Sequence, residues 1–511
     1  MEHGEVVVLD GQSLTIEDVV KVARNNAKVE LDPHALEAVD KAASLVNEWA
    51  SGNEVIYGIN TGFGDLATVP ISRKDRRQLQ ENLLKSHACG VGAPFDEETV
   101  RAIMLLRINT LIRGYSGIRV STLQRLTEYL NLGIHPMIPS QGSVGSSGDL
   151  CPLSHLAVTL LGLGEVFYKG RRQSTARLLR KFGMEPLHLE AKEGLALNNG
   201  TTVMTAIAAL ALYDSVNTLK LADIAASLSL EALHGVPYAF DERTHALRPY
   251  HGQMTVASNI RKLISGSQII EKFKGERVQD AYSLRCVPQV HGASRDAIGY
   301  IWDKVSIEIN AVTDNPLIFV DDRMAISGGN FHGQPMALAM DFFGIAMAEI
   351  ANISERRVAR LVDSSLSGLP PFLINESGLN SGFMIPQYAA ASIVSENKVL
   401  AHPSSVDSIP TSANQEDHVS MGTYGARKGR NILDNTRRVL SIEFFSAAQA
   451  LDFSILLKPG LGTAAAHRMI RSAVPFLKHD DYLYPLIRRV QELMDRSEIL
   501  SAVEEVVGPL D

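Results

Sequence analysis

"PMALAMDFFGIAMAEIANISERRVARLV", residues 335–362, holds a single glycine and, after its first residue, no proline. Its first part, "MALAMDFFGIAMAEIANI", is apolar on nearly every face a helix presents. A helix of that kind is stable only when buried among other helices. Three more stretches read the same way: "TTVMTAIAALALYDS" (201–215), "YAAASIVSENKVLA" (388–401) and "RRVLSIEFFSAAQALDF" (437–453). The fold class is therefore mainly α, a central bundle of long helices. The apolar surface of such helices exceeds what one chain covers, which points to oligomerisation through the bundle.

Working outward, the N-terminal part reads as a smaller, mixed but mostly helical domain over 1–200, with the long-helix domain over 201–511. In "LDPHALEAVDKAASLVNEWASG" (31–52), Asp32 is a natural N-cap and Pro33 suits the first turn. Leu36, Val39, Ala43, Val46 and Trp49 make one apolar face, and Gly52 ends the helix. Strand signals are sparse: "EVVVLD" (5–10) and "LIFVDDRMAIS" (317–327).

Composition narrows the function classes. The 511 residues are 45% hydrophobic and 21% charged, with a net charge of −8 and no basic block, so nucleic acid is excluded as a partner class. The three cysteines, Cys89, Cys151 and Cys286, are odd in number and far apart, against structural disulfides and a cysteine zinc site. "MEHGEVVVLDGQSLT" is acidic, with an apolar run too short for a signal peptide. Runs such as "TAIAALAL" and "GIAMAEIANI" read as too short or too charge-interrupted to span a bilayer. The expectation is a soluble, cytoplasmic protein.

Polar or glycine-rich stretches interrupt the helical pattern at "IYGINTGFG" (56–64), "LLKSHACGVG" (83–92), "GSVGSSGDL" (142–150), "GLALNNGTT" (194–202), "VQDAYSLRC" (278–286), "SGGNFHGQP" (327–335) and "ANQEDHVSM" (413–421). "GSVGSSGDLCPL" (142–153) matches neither a P-loop, which needs Lys-Ser/Thr, nor a nucleophile elbow, since Asp149 stands where the second glycine belongs. No HExxH occurs, and His87, His332 and His418 are too scattered for spacing to predict a metal. Two readings of the loop stay open. One is a Ser/Gly turn with Asp149 capping the following helix. The other is a condensation: the Gly148 amide nitrogen attacks the carbonyl carbon of Ser146, and loss of two waters turns Ser147 into an exocyclic methylidene. Gly148 lacks the Cβ that would obstruct the bend. The product is an electrophile that no standard side chain supplies.

With these stretches in order, the sequence resembles the aromatic amino acid ammonia-lyase and aminomutase family over nearly its whole length. Members make a 4-methylideneimidazol-5-one (MIO) group from a tripeptide, usually Ala-Ser-Gly, inside "GSxGASGDLxPL". The resemblance implies MIO from Ser146, Ser147 and Gly148, no external cofactor and no metal. It also implies a helical homotetramer whose active sites are shared between subunits. Tyr57 becomes the base for the substrate's β-proton, and Asn199 and Tyr282 support the MIO ring. Arg285 clamps the substrate carboxylate, and Gln279 and Phe331 line the pocket. His87 and Glu416 stand where phenylalanine- and tyrosine-directed members carry Leu and Gln. They imply an imidazole ring, and so deamination of L-histidine to trans-urocanate and ammonia.

Three positions depart from the commonest pattern. Ser146 and Cys151 replace alanines, the second as a small buried hydrophobe. Asn198 replaces an apolar residue and would set a second amide beside the MIO surroundings. The rivals are an aminomutase, a lyase for another aromatic amino acid, and a catalytically silent helical scaffold.

Overall fold

The computed structural model describes residues 5–52, 56–62, 69, 71–454 and 456–511. Residues 1–4 of the N-terminal stretch and residues 63–64 of "IYGINTGFG" lie outside the described residues. The chain forms two compact units, neither continuous in sequence. The first comprises Met1–Tyr213, Trp302–Asp341 and Pro403–Arg427; the second comprises Asp214–Ile301, Phe342–His402 and Lys428–Asp511. This division differs from the expected boundary near residue 200. The 31-residue helix Thr202–Ala232 carries the chain past that point, so the change of unit falls inside regular structure rather than in a loop.

Helix Pro33–Ser51 in the first unit forms as its sequence dictates. The Asp32 side chain accepts from the Ala35 amide, and Val39, Ala43, Val46 and Trp49 are buried. Val46 and Trp49, with Ala42 and Leu45 of the same helix, pack with Ile59, Ala191 and Ile318 into one apolar cluster. Three helices frame the centre of this unit: Arg76–His87, Leu150–Leu160 and Glu193–Asn198, each packed on the other two. Leu150–Leu160 is buried on almost every side, which its apolar composition requires.

The two expected strand regions are present. Val6–Leu9 pairs in parallel with Lys28–Leu31, and Leu317–Phe319 turns back on Met324–Ile326. The remaining strands are two to four residues long, too short for a period-2 signal.

The second unit is the long-helix bundle. Ala351 and Val358, Ala390, and Val439 and Ile442 come from three long helices and form one buried cluster. A fully buried ion pair crosses it: Arg357 Nη2 donates to Glu443 Oε2 at 2.8 Å, and the hydroxyls of Ser229 and Ser354 also bond the Glu443 carboxylate. Such a pair persists only because its remaining lone pairs are satisfied.

The helices Thr202–Ala232 and Gln334–Val362 are longer than the apolar runs within them suggested. By length and composition both are able to cross a bilayer, yet 78% and 67% of their most apolar windows are buried inside the protein, as in core helices.

Candidate active site

The first unit encloses a cavity of about 930 Å³ lined by Tyr57, His87, Ser146, Ser147, Asn199, Phe331 and Glu416, seven of the residues singled out from sequence. They arrive from six separate stretches. Four others do not line it: Gly148, which sits in the same loop as Ser146 and Ser147, and three more. Gln279, Tyr282 and Arg285 belong to the second unit. There Tyr282 opens one short helix that Arg285 closes, and its ring, 70% exposed, lies 4.7 Å under the Arg285 guanidinium. Tyr282 lines a separate cavity of that unit with Arg356 and Arg360.

The Ser146–Gly148 loop is held by backbone contacts that sequence spacing did not reveal. Gly148 has φ +68°, and a Cβ there would collide with the Gly200 carbonyl and come within 2.8 Å of its Cα. The next residue ties the same two strands of chain: the Asp149 amide donates to Gly200 O at 2.7 Å. Gly200 in turn has φ +146°, and a Cβ there would meet Thr313 Oγ1 at 2.8 Å. Two glycines thus face each other where no side chain fits.

Asp149 does not cap the helix that follows it, contrary to the simple turn reading. Its Oδ2 accepts from the amides of Val203 (2.9 Å) and Met204 (3.0 Å), at the start of the helix Thr202–Ala232. Its Oδ1 accepts from Ser143 at 3.0 Å and from Thr423. Burial pushes this carboxyl above its ordinary range despite those donors.

Asn199 is buried, and its amide nitrogen donates to Asn315 O at 3.2 Å. Its Oδ1 has no partner among the described residues. Behind it the guanidinium of Arg107, wholly buried, donates to Asn199 O at 2.9 Å. Burial brings Arg107 down to about 10. Asp314 pairs with Lys192 at 2.8 Å, both fully buried, and completes the support. The signal for Arg107 was present in "IMLLRINTL" (103–111), one cation inside an apolar run. Asp314 and Lys192 had none. Asn198 is corrected: its amide turns away from the cavity and donates to Ser154 Oγ at 3.0 Å, so it braces the helix Leu150–Leu160. Cys151 is buried as expected, its sulfur against the backbone of Gly90 and Gly142, and burial pushes the thiol up to about 11.

At the cavity's other side, His87 ends the helix Arg76–His87, with Ser86 Oγ 2.9 Å from its Nδ1. Burial holds its imidazole below the ordinary value, partly offset by a hydrogen bond at Leu83 and by the charge of Glu416. Glu416 accepts from Ser146 Oγ at 2.5 Å and from Ser147 Oγ at 3.2 Å. His332 and His418, distant in sequence, also line the cavity, with parallel rings 5.9 Å apart. Among the described residues, no group of three or more His, Cys, Asp or Glu is arranged to hold a metal.

The residues present fit an MIO group at positions 146–148. The facing glycines leave room for backbone condensation, and Asn199, next to Gly200, lines the cavity with Ser146 and Ser147. A helical fold with this loop defines the class, the ammonia-lyase and aminomutase fold.

The sequence pattern of the family described as aromatic amino acid lyase matches residues 14–472. The chain is 54% identical over 504 residues to a histidine ammonia-lyase of Alkaliphilus metalliredigens (strain QYMF), covering 99% of each chain. It is 53% identical over 509 residues to one of Streptococcus pyogenes serotype M6, covering 98% of each. Among solved structures, histidine ammonia-lyase from Trypanosoma cruzi superposes with a TM-score of 0.91 at 39% identity, over 99% of this chain and 96% of that one. Tyrosine aminomutase from Streptomyces globisporus superposes with a TM-score of 0.93 at 38% identity, over 99% of this chain and 100% of that one. The chain belongs to the aromatic amino acid lyase family. It is a carbon–nitrogen lyase of the ammonia-lyase kind.

Proposed function

We propose that this chain converts L-histidine to trans-urocanate and ammonia, with an MIO group formed from Ser146, Ser147 and Gly148. The observation that carries the reading is the position of Glu416. Its carboxylate reaches the hydroxyl of Ser147 at 3.2 Å, in a cavity that His87 also lines. An imidazole ring carries polar nitrogens, and burying them unpaired costs about 1–3 kcal/mol. Glu416 accepts from one ring nitrogen and His87 bonds the other. A phenyl ring offers neither contact and leaves one oxygen of the desolvated carboxylate without a donor, so the same pair rejects phenylalanine.

When present, the MIO group supplies an electrophilic carbon to the substrate's amine, a form of covalent catalysis. The rest falls to ordinary side chains. Tyr57 takes the β-proton, which requires its phenolate at a pH below the free value of about 10. Asn199, fixed through its backbone by Arg107, presents its amide to the ring. Phe331 packs on the substrate.

The lining of this cavity contains no Arg or Lys among the described residues, so the substrate carboxylate has no cation there. We assign that role to Arg285, with Tyr282 and Gln279 beside it, from another copy of the chain in a homotetramer. The exposed Tyr282 ring and its own cavity support this assignment. The widely spaced cysteines favour a cytoplasmic location, with no nucleic acid or membrane partner.

An aminomutase is the second reading, favoured by the likeness to tyrosine aminomutase. Incubating the purified protein separately with histidine, phenylalanine and tyrosine decides between them. Urocanate from histidine alone supports the proposal; a β-amino acid product replaces it. Ser147→Ala is the control and is expected to lose nearly all turnover.

A further inference from the structure

Ser146 is 5% exposed, and its hydroxyl has one partner among the described residues: Glu416 Oε2, at 2.5 Å. The same oxygen accepts from Thr411 Oγ1 at 3.0 Å. Thr411 and Glu416 are further joined by two backbone hydrogen bonds, Thr411 N to Glu416 O at 3.0 Å and Glu416 N to Thr411 O at 3.3 Å. Among the described residues the other oxygen, Oε1, accepts only the Ser147 hydroxyl, at 3.2 Å. The two oxygens are therefore held by different hydroxyls, Oε2 by those of Ser146 and Thr411 and Oε1 by that of Ser147. Condensation of the loop consumes the backbone carbonyl of Ser146 and the hydroxyl of Ser147, and leaves the Ser146 hydroxyl untouched. After that change Oε2 keeps both of its donors and Oε1 has lost its own.

We infer that Ser146 is a positioning residue for ring specificity: with Thr411 it clamps Glu416 by one oxygen, so that the other is aimed at the imidazole N–H of the substrate. The inference rests on the histidine reading above. An alanine at 146 supplies the same carbonyl for condensation, so the hydroxyl is not needed to make the electrophile. Its contribution lies in orienting a carboxylate that would otherwise rotate and take its hydrogen bonds from water. Hydrogen bonds to a charged acceptor carry the largest net effects among neutral donors, on the order of 10–100-fold in binding.

The test is a double-mutant cycle of Ser146→Ala, Glu416→Gln and the pair, with loss of two waters checked by intact mass in each protein. Ser146→Ala is expected to raise KM for L-histidine by about 10-fold or more while kcat changes by less than about threefold, the signature of lost ground-state binding. In the Glu416→Gln background the same substitution is expected to change KM by less than about twofold. A second readout needs no turnover. In Ser147→Ala protein, which does not condense, adding Ser146→Ala should weaken L-histidine binding by calorimetry and leave L-phenylalanine binding unchanged. Equal effects of Ser146→Ala in both backgrounds, or an unchanged KM, overturn the inference while the functional reading stands. Failure of the unmutated, condensed protein to deaminate histidine overturns the functional reading and this inference with it.

Discussion

Gly148 is where one residue type decides whether the reactive group exists. Its φ of +68° and its contact with Gly200 leave no space for a Cβ. Gly148→Ala is expected to abolish condensation, read as an intact mass equal to the unmodified sequence, with turnover lost to the level of Ser147→Ala. His87 allows a second residue-scale prediction, with the sign set by its surroundings. Burial disfavours the imidazolium, and the nearby Glu416 charge favours it by less. The His87 ring should therefore titrate by NMR below the ordinary value of about 6.5 and be neutral at pH 7. Glu416→Gln removes the favourable charge and should lower the midpoint further; a rise would show that another group controls it. Both positions were legible in the sequence as motif members. The bend already gave Gly148 one steric reason to be glycine; its close approach to Gly200 was not legible, because Gly200 lies far along the chain and only folding sets the two backbones against each other.

At the scale of elements, Asp149 joins the loop to a helix it does not belong to. It satisfies two of the orphan amides that open the helix Thr202–Ala232, and two hydroxyls besides. Burial raises its pKa, so at neutral pH its charge costs the folded state; protonation on acidification relieves that cost rather than adding to it. Its value lies in its acceptors. Asp149→Ala orphans buried donors at about 1–3 kcal/mol each and is expected to lower stability by about 3 kcal/mol or more. Asp149→Asn keeps a carbonyl acceptor without the charge and should lose less than half as much. Denaturant unfolding of the two variants checks the order; a more damaging Asn would mean that the charge itself matters. Helices with strong periodicity or all-round apolarity, such as Pro33–Ser51 and Gln334–Val362, were readable because burial demands that pattern. The other short strands and the Asp149 cap were not, since a pairing of two to four residues or a long-range cap leaves no periodic trace.

For the whole molecule, the proposed site needs residues from both kinds of unit, Ser147 from one and Tyr282 and Arg285 from the other. If they meet between copies, a chain lacking Ser147 and a chain lacking the Tyr282 hydroxyl repair each other. Co-expressed Ser147→Ala and Tyr282→Phe are expected to give mixed oligomers with measurable urocanate formation where neither variant alone has any above background. Light scattering should show four chains per particle. Absence of complementation in confirmed mixed oligomers would place all of these residues in one chain's own site.

The chain's own residues were enough to establish a buried long-helix architecture, a Ser/Gly loop for which condensation was one of two open readings, and the chemical types that accompany it. These are local properties: an apolar stretch without breakers must be buried as a helix, and a Ser-Gly step is free to bend wherever it sits. Tertiary structure alone decided which glycine faces Gly148, that Asp149 caps a distant helix, that Asn198 turns away while Asn199 faces the cavity, and that Ser146 grips Glu416. Each of those depends on contacts between residues tens to hundreds of positions apart, for which neither spacing nor composition carries a signal.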